Sequence, residues 1–120
     1  MSAKRPGGRP KPRTVDEMFE GVTVGTGASY HVGSDTYGYY VSEVDRDNAT
    51  IGLYRPACRF TKCWEDGSMT ADPFDPKHGT DVKYVAWRGR WWRLDESGIR
   101  TRETQSWHFG SCCNYRDPSF

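Results

Sequence analysis

Residues 37–55, YGYYVSEVDRDNATIGLYR, decide the fold class. Residues 37–45 are rich in tyrosine and valine, which suit a pleated, half-buried surface. Asp47, Asn48 and their neighbours in RDNA, 46–49, form turn chemistry, because Asp and Asn tolerate left-handed backbone and hydrogen-bond locally. In TIGLYR, 50–55, Ile51 and Leu53 fall on one face at the period of two that marks a strand. The stretch therefore predicts a β-hairpin with a polar turn, with Gly38 at a bulge.

The same signals recur on either side. ASYHV, 28–32, predicts a strand and GSD, 33–35, a turn. CRFTKCW, 58–64, predicts another short strand. DPFDPKHGTD, 72–81, predicts a loop, since Pro73 and Pro76 cannot donate to a ladder. VKYVAWRGRWWRLD, 82–95, predicts a second hairpin turning at Gly89. Val85 and Trp87 share one face of it, and Trp92 and Leu94 one face of the returning strand. Further strands are expected at Ile99–Glu103 and Trp107–Phe109. The chain carries five Trp, seven Tyr and five Phe. Its Leu and Ile total only four. Aromatic side chains must therefore fill the core.

Five or six short strands joined by close turns, with almost no helix, predict a mainly β fold: a small antiparallel SH3-like barrel or a curved sheet. Residues 21–120 form this single β domain. TVDEMFE, 14–20, predicts a short helical turn or linker. Thr14 is its N-cap and Glu17 completes a capping box, with Val15, Met18 and Phe19 on one side.

Residues 1–13 differ in kind. KRPGGRPKPR, 4–13, holds five basic residues, three prolines and two glycines. The prolines fix φ and remove donors, so a disordered, extended basic arm is expected. The chain has 17 basic and 16 acidic residues; removing the five basic residues of the arm leaves 12 against 16, a net charge of −4 beyond it. A basic arm on a mildly acidic body points to a nucleic-acid or anionic contact made by the arm or a local strip.

Gly8-Arg9-Pro10, with basic residues on both sides, resembles the AT-hook, a minor-groove DNA motif built on Arg-Gly-Arg-Pro. That resemblance implies that Arg9 inserts into the groove and Pro10 shapes the backbone. Arg5, Lys11 and Arg13 would hold phosphates. The AT-hook core has an arginine where this chain has Gly8, which leaves one arginine to insert.

A second basic strip is WRGRWWR, 87–93. Arg88, Arg90 and Arg93 alternate with tryptophans including Trp91, the chemistry of a base-stacking or phosphate-binding face. Period-two alternation equally places tryptophan in the core and arginine in solvent.

Cys58 and Cys63, separated by four residues, have zinc-ligand spacing, and His108 and Cys112 would complete a tetrad. Reduced thiols filling core gaps explain the same cysteines more simply. No metal and no cofactor are expected. The chain shows no nucleophile elbow, zincin helix or P-loop. Gly25 and Gly27 precede a strand, where the helix end of a phosphate site is missing. A non-enzymatic protein is expected. No apolar run approaches 18 residues, and no apolar segment near the start resembles a secretory signal.

VGTGASYHVGSDTYGYYVSEV at 24–44, GRWWRL at 89–94 and NYRDPSF at 114–120 resemble small bacteriophage and prophage β-proteins of unassigned activity. Those proteins share a Val-Gly-x-Gly-Ala start, a Gly-Arg-Trp hairpin and an Asp-Pro-x-Phe end. The resemblance implies a phage accessory protein working in the host cytoplasm, and brings no catalytic residue or ligand with it. The expected function is a phage-encoded binding protein that contacts nucleic acid, DNA first, through its arm. Two other roles are compatible: a counter-defence protein capturing a host protein or nucleotide signal, and a virion structural component.

Overall fold

A computed structural model describes residues 13–60, 68–110, 112 and 114–115. The elements are helix α1 (Val15–Met18) and strands β1 (Gly27–Val32), β2 (Asp35–Asp45), β3 (Thr50–Tyr54), β4 (Cys58–Phe60), β5 (Ser68–Ala71), β6 (Val82–Trp87), β7 (Arg90–Leu94), β8 (Arg100–Gln105), β9 (His108–Phe109) and β10 (Asn114–Tyr115). The fold is mainly β, as expected. The strands form one curled antiparallel sheet, a half-barrel, in the order β4-β5-β10-β2-β3-β6-β7-β8, with β1 joining β2 to β9. Residues 1–12 of the expected arm, including Arg5, Arg9, Pro10 and Lys11, lie outside the described residues.

Both expected hairpins form. Asp45 pairs with Thr50 across the 46–49 turn, and Trp87 pairs with Arg90 across Arg88-Gly89. In the first turn the Asp45 carboxylate accepts from the Asn48 backbone N–H at 3.2 Å and from its side-chain amide at 2.7 Å. It is Ala49, not Asp47 or Asn48, that takes the left-handed conformation, with φ 55°. The bulge of β2 lies between Val41 and Glu43 rather than at Gly38, which stays in register opposite Ser29. Just before the bulge, the Val41 carbonyl accepts from Gly25 N–H and Val41 N–H donates to Thr26, tying down the 23–26 turn.

The concave face holds the core. Phe19, Val22, Ala28, Val41, Ile51, Leu53, Trp91 and Trp107 are buried there with Met18 and Ala86. The capping box forms: Thr14 Oγ1 accepts from Glu17 N–H, and Glu17 Oε1 accepts from Thr14 N–H. Hydrogen bonding from Thr14, its backbone N–H first and its side chain second, holds the Glu17 carboxyl below its usual range. Behind the cap, Met18 and Phe19 plug the curl, while Val15, expected on one side with them, stays 39% exposed. Tyr30, Tyr39 and Tyr84 surround Trp107 edge-on, at centroid distances of 5.1, 5.1 and 5.5 Å. Burial, with Tyr39 beside it, pushes the Tyr30 phenol up to about 12.

Strand β3 is buried on both faces. On its outer face the 72–81 loop folds back. His78 stacks on Tyr54 at 4.0 Å, and Tyr54 Oη accepts from Asp75 N–H at 2.7 Å. A side chain at Gly52 would meet Thr80 at 2.6 Å, so only glycine fits beneath that residue.

Candidate nucleic-acid interface

The β6–β7 hairpin sorts its side chains by alternation: Val85 and Trp87 share a face, as do Trp92 and Leu94, as expected. Tyr84, Ala86 and Trp91 are buried. Val85, Trp87, Trp92 and Leu94 are half-buried or exposed on the outer face. Size explains the choice: Ala86 pairs with Trp91, and a small residue beneath a large one fills the concave layer.

This corrects the WRGRWWR strip. Trp91 is 1% exposed and edge-packed on Phe19 and Phe109 at 5.3 and 5.8 Å, so it offers no face to a base. Arg93 lies on the Trp91 side of β7. Its Nη1 bonds Glu103 Oε2 at 3.1 Å, which neutralises it. Arg88 and Arg90 remain available.

What replaces the strip is an outer basic-aromatic cluster. The Trp87 and Trp92 rings meet at 5.8 Å, and Trp92 Nε1–H donates to the Trp87 carbonyl at 3.0 Å. The Arg100 guanidinium, brought in by β8, lies 3.9 Å from the Trp87 centroid and 5.0 Å from that of Trp92. The Arg88 guanidinium lies 4.3 Å from the Trp87 centroid. Among the described residues neither arginine pairs with a carboxylate. A guanidinium stacked on a ring uses its face and leaves its in-plane N–H groups for a phosphate. Beside the cluster runs a shallow groove of about 380 Å³, lined by Asn48, Thr50, Val85, Leu94 and Gly98 together with Trp87 and Arg100.

Arg88 occupies an unusual conformation. Its φ is 51° and that of Gly89 is 75°, the signature of the tight turn that matches hairpin twist. Gly89 is at ease there, as expected; an arginine is strained.

Arg13, the last residue of the expected arm, lines a groove beside the turn of the same hairpin, with Gly89. Arg90, Trp91, Thr104, Gln105, Ser106, Trp107 and His108 line it too, and its volume is about 510 Å³. Arg13 and Arg90, assigned to separate basic segments, thus share one groove. The neighbouring outer cluster holds Arg88.

Arg100 is the residue that sequence reasoning missed. The alternation of Arg100 and Arg102 was the available signal, but nothing local to β8 reveals its partner.

The candidate tetrad is not assembled among the described residues: no three His, Cys, Asp or Glu side chains converge there, and Cys63 lies outside them. His108 faces the His31 ring at 5.6 Å, and Cys58 Sγ lies 3.8 Å from Arg55 Nη2. Cys112 sits near the Tyr40 hydroxyl, which burial pushes up. Among the described residues no helix is long and apolar enough to cross a membrane. No family model matches this chain, and neither a curated protein nor a solved structure matches it.

Proposed function

We propose that this is a non-enzymatic nucleic-acid-binding protein of bacteriophage or prophage origin, acting in the host cytoplasm, with DNA as its first ligand. The observation that carries the reading is the outer cluster, where Arg88 and Arg100 stack on Trp87 and Trp92 with no carboxylate partner among the described residues. Aromatic rings interleaved with free guanidinium groups suit single strands, whose bases stack and whose phosphates pair. Arg13 places the root of the basic arm beside the same hairpin, so Arg5, Arg9 and Lys11 would extend the contact along the backbone. The phage origin rests on the motif resemblance at 24–44, 89–94 and 114–120.

The test is a gel shift with single- and double-stranded DNA. Three proteins are compared: the full chain, a chain lacking residues 1–12, and Trp87→Ala/Arg100→Ala. Each alteration should weaken binding about tenfold or more, since base stacking and charged hydrogen bonds are each worth about 1–3 kcal/mol. Unchanged binding in both altered proteins would overturn the reading.

A further inference from the structure

We infer that the groove between Arg13 and Arg90 is a subsite for a phosphate monoester at a nucleic-acid strand end. This rests on the nucleic-acid reading and names the ligand group of a second site beside the outer cluster.

The lining residues fix the ligand's charge. Arg13 and Arg90 line it together with Thr104, Ser106, Gln105 and His108, residues that carry two guanidinium groups, two hydroxyls, an amide and an imidazole. Among the described residues no carboxylate lines the groove. Positive charge with hydrogen-bonding side chains and no acid selects an oxyanion. The two guanidinium charges match a terminal monoester, which carries about −1.5 to −2, better than a backbone diester. The groove's volume of about 510 Å³ accommodates a nucleotide end rather than a bare ion.

The walls add a second observation. Trp91 and Trp107 are 1% and 6% exposed, and their indole nitrogens are buried with no hydrogen-bond acceptor among the described residues. Buried donors without acceptors are uncommon. In this state the two N–H groups are shielded from solvent, so the arginines carry the binding. Both tryptophans line the groove, so an oxyanion held there lies beside them. The same two tryptophans therefore report occupancy.

The experiment is a titration of the full chain followed by the tryptophan indole N–H signals in NMR. The probes are inorganic phosphate and three oligonucleotides of one sequence: with a 5′-phosphate, with a 3′-phosphate, and with both ends hydroxyl. Saturable shifts of the Trp91 and Trp107 signals are expected with phosphate and with at least one phosphorylated strand. That strand should bind about tenfold tighter than the hydroxyl strand, the worth of a charge-assisted hydrogen bond. Arg90→Ala should remove this preference, and Arg90→Lys should keep part of it. Equal affinity for all three strands, with no shift at Trp91 or Trp107, would overturn the subsite while leaving the outer cluster intact. Phosphate shifts at both tryptophans with no strand bound would keep an oxyanion site and remove the nucleic-acid reading.

Discussion

Arg88 is where folding preference and proposed function part company. A non-glycine residue at φ 51° costs about 1 kcal/mol, and Asn tolerates that conformation better. The Arg88–Trp87 stack, at an exposed site, returns about 0.5–1 kcal/mol. The two terms nearly cancel in Arg88→Asn. We therefore expect its melting temperature to move by less than about 4 °C, the scale of 1 kcal/mol in a domain of this size. Its oligonucleotide affinity should nevertheless fall severalfold in the same preparation. Paired calorimetry and fluorescence anisotropy read both quantities. Parallel loss of stability and affinity would make Arg88 a structural residue, and unchanged affinity would remove it from the interface.

At the scale of elements, α1 is short but its role is large. The Thr14 cap is worth about 1 kcal/mol. Phe19, fully buried against Trp91, is worth more: truncating a buried Phe costs about 3–5 kcal/mol. Arg46 adds a hydrogen bond to the Phe19 carbonyl at 3.1 Å. Phe19→Ala should thus lower unfolding free energy severalfold more than Thr14→Ala in denaturant titrations, and should red-shift tryptophan emission. Equal effects would mean that α1 is held by its cap rather than its plug. The hairpins at 37–55 and 82–95 were legible because turn residues and period-two patterning coincide there. The faces of β6 and β7 were not legible. Val85, Trp87, Trp92 and Leu94 are as apolar as Tyr84, Ala86 and Trp91, and only the fit of Ala86 under Trp91 separates them. Strands β5 and β10, of four and two residues, are too short to show a period. The burial of Gly52 and Tyr54 depends on a loop some 20–30 residues away, through Thr80 and His78.

Across the whole molecule, charge separates into regions that composition alone conceals. The overall charge is +1, yet the sequence beyond residue 13 carries −4. The proposed binding would therefore be local, through arginines gathered at one hairpin and the arm that starts beside it. Arg88 and Arg90 could be picked from sequence because they flank a turn glycine. Arg100 joins them only because β8 pairs with β7, with a register shift between Trp92 and Leu94. The measurement that tests this account most directly is the salt dependence of single-stranded DNA binding. The full chain should be compared with Arg88→Ala/Arg100→Ala. Each phosphate neutralised on a single strand contributes about −0.7 to the slope of log K against log salt. The account predicts a linear fall for the full chain and a slope shallower by about 1.4 for the double variant, two phosphate contacts' worth. Equal slopes and equal affinities for the two proteins would contradict it.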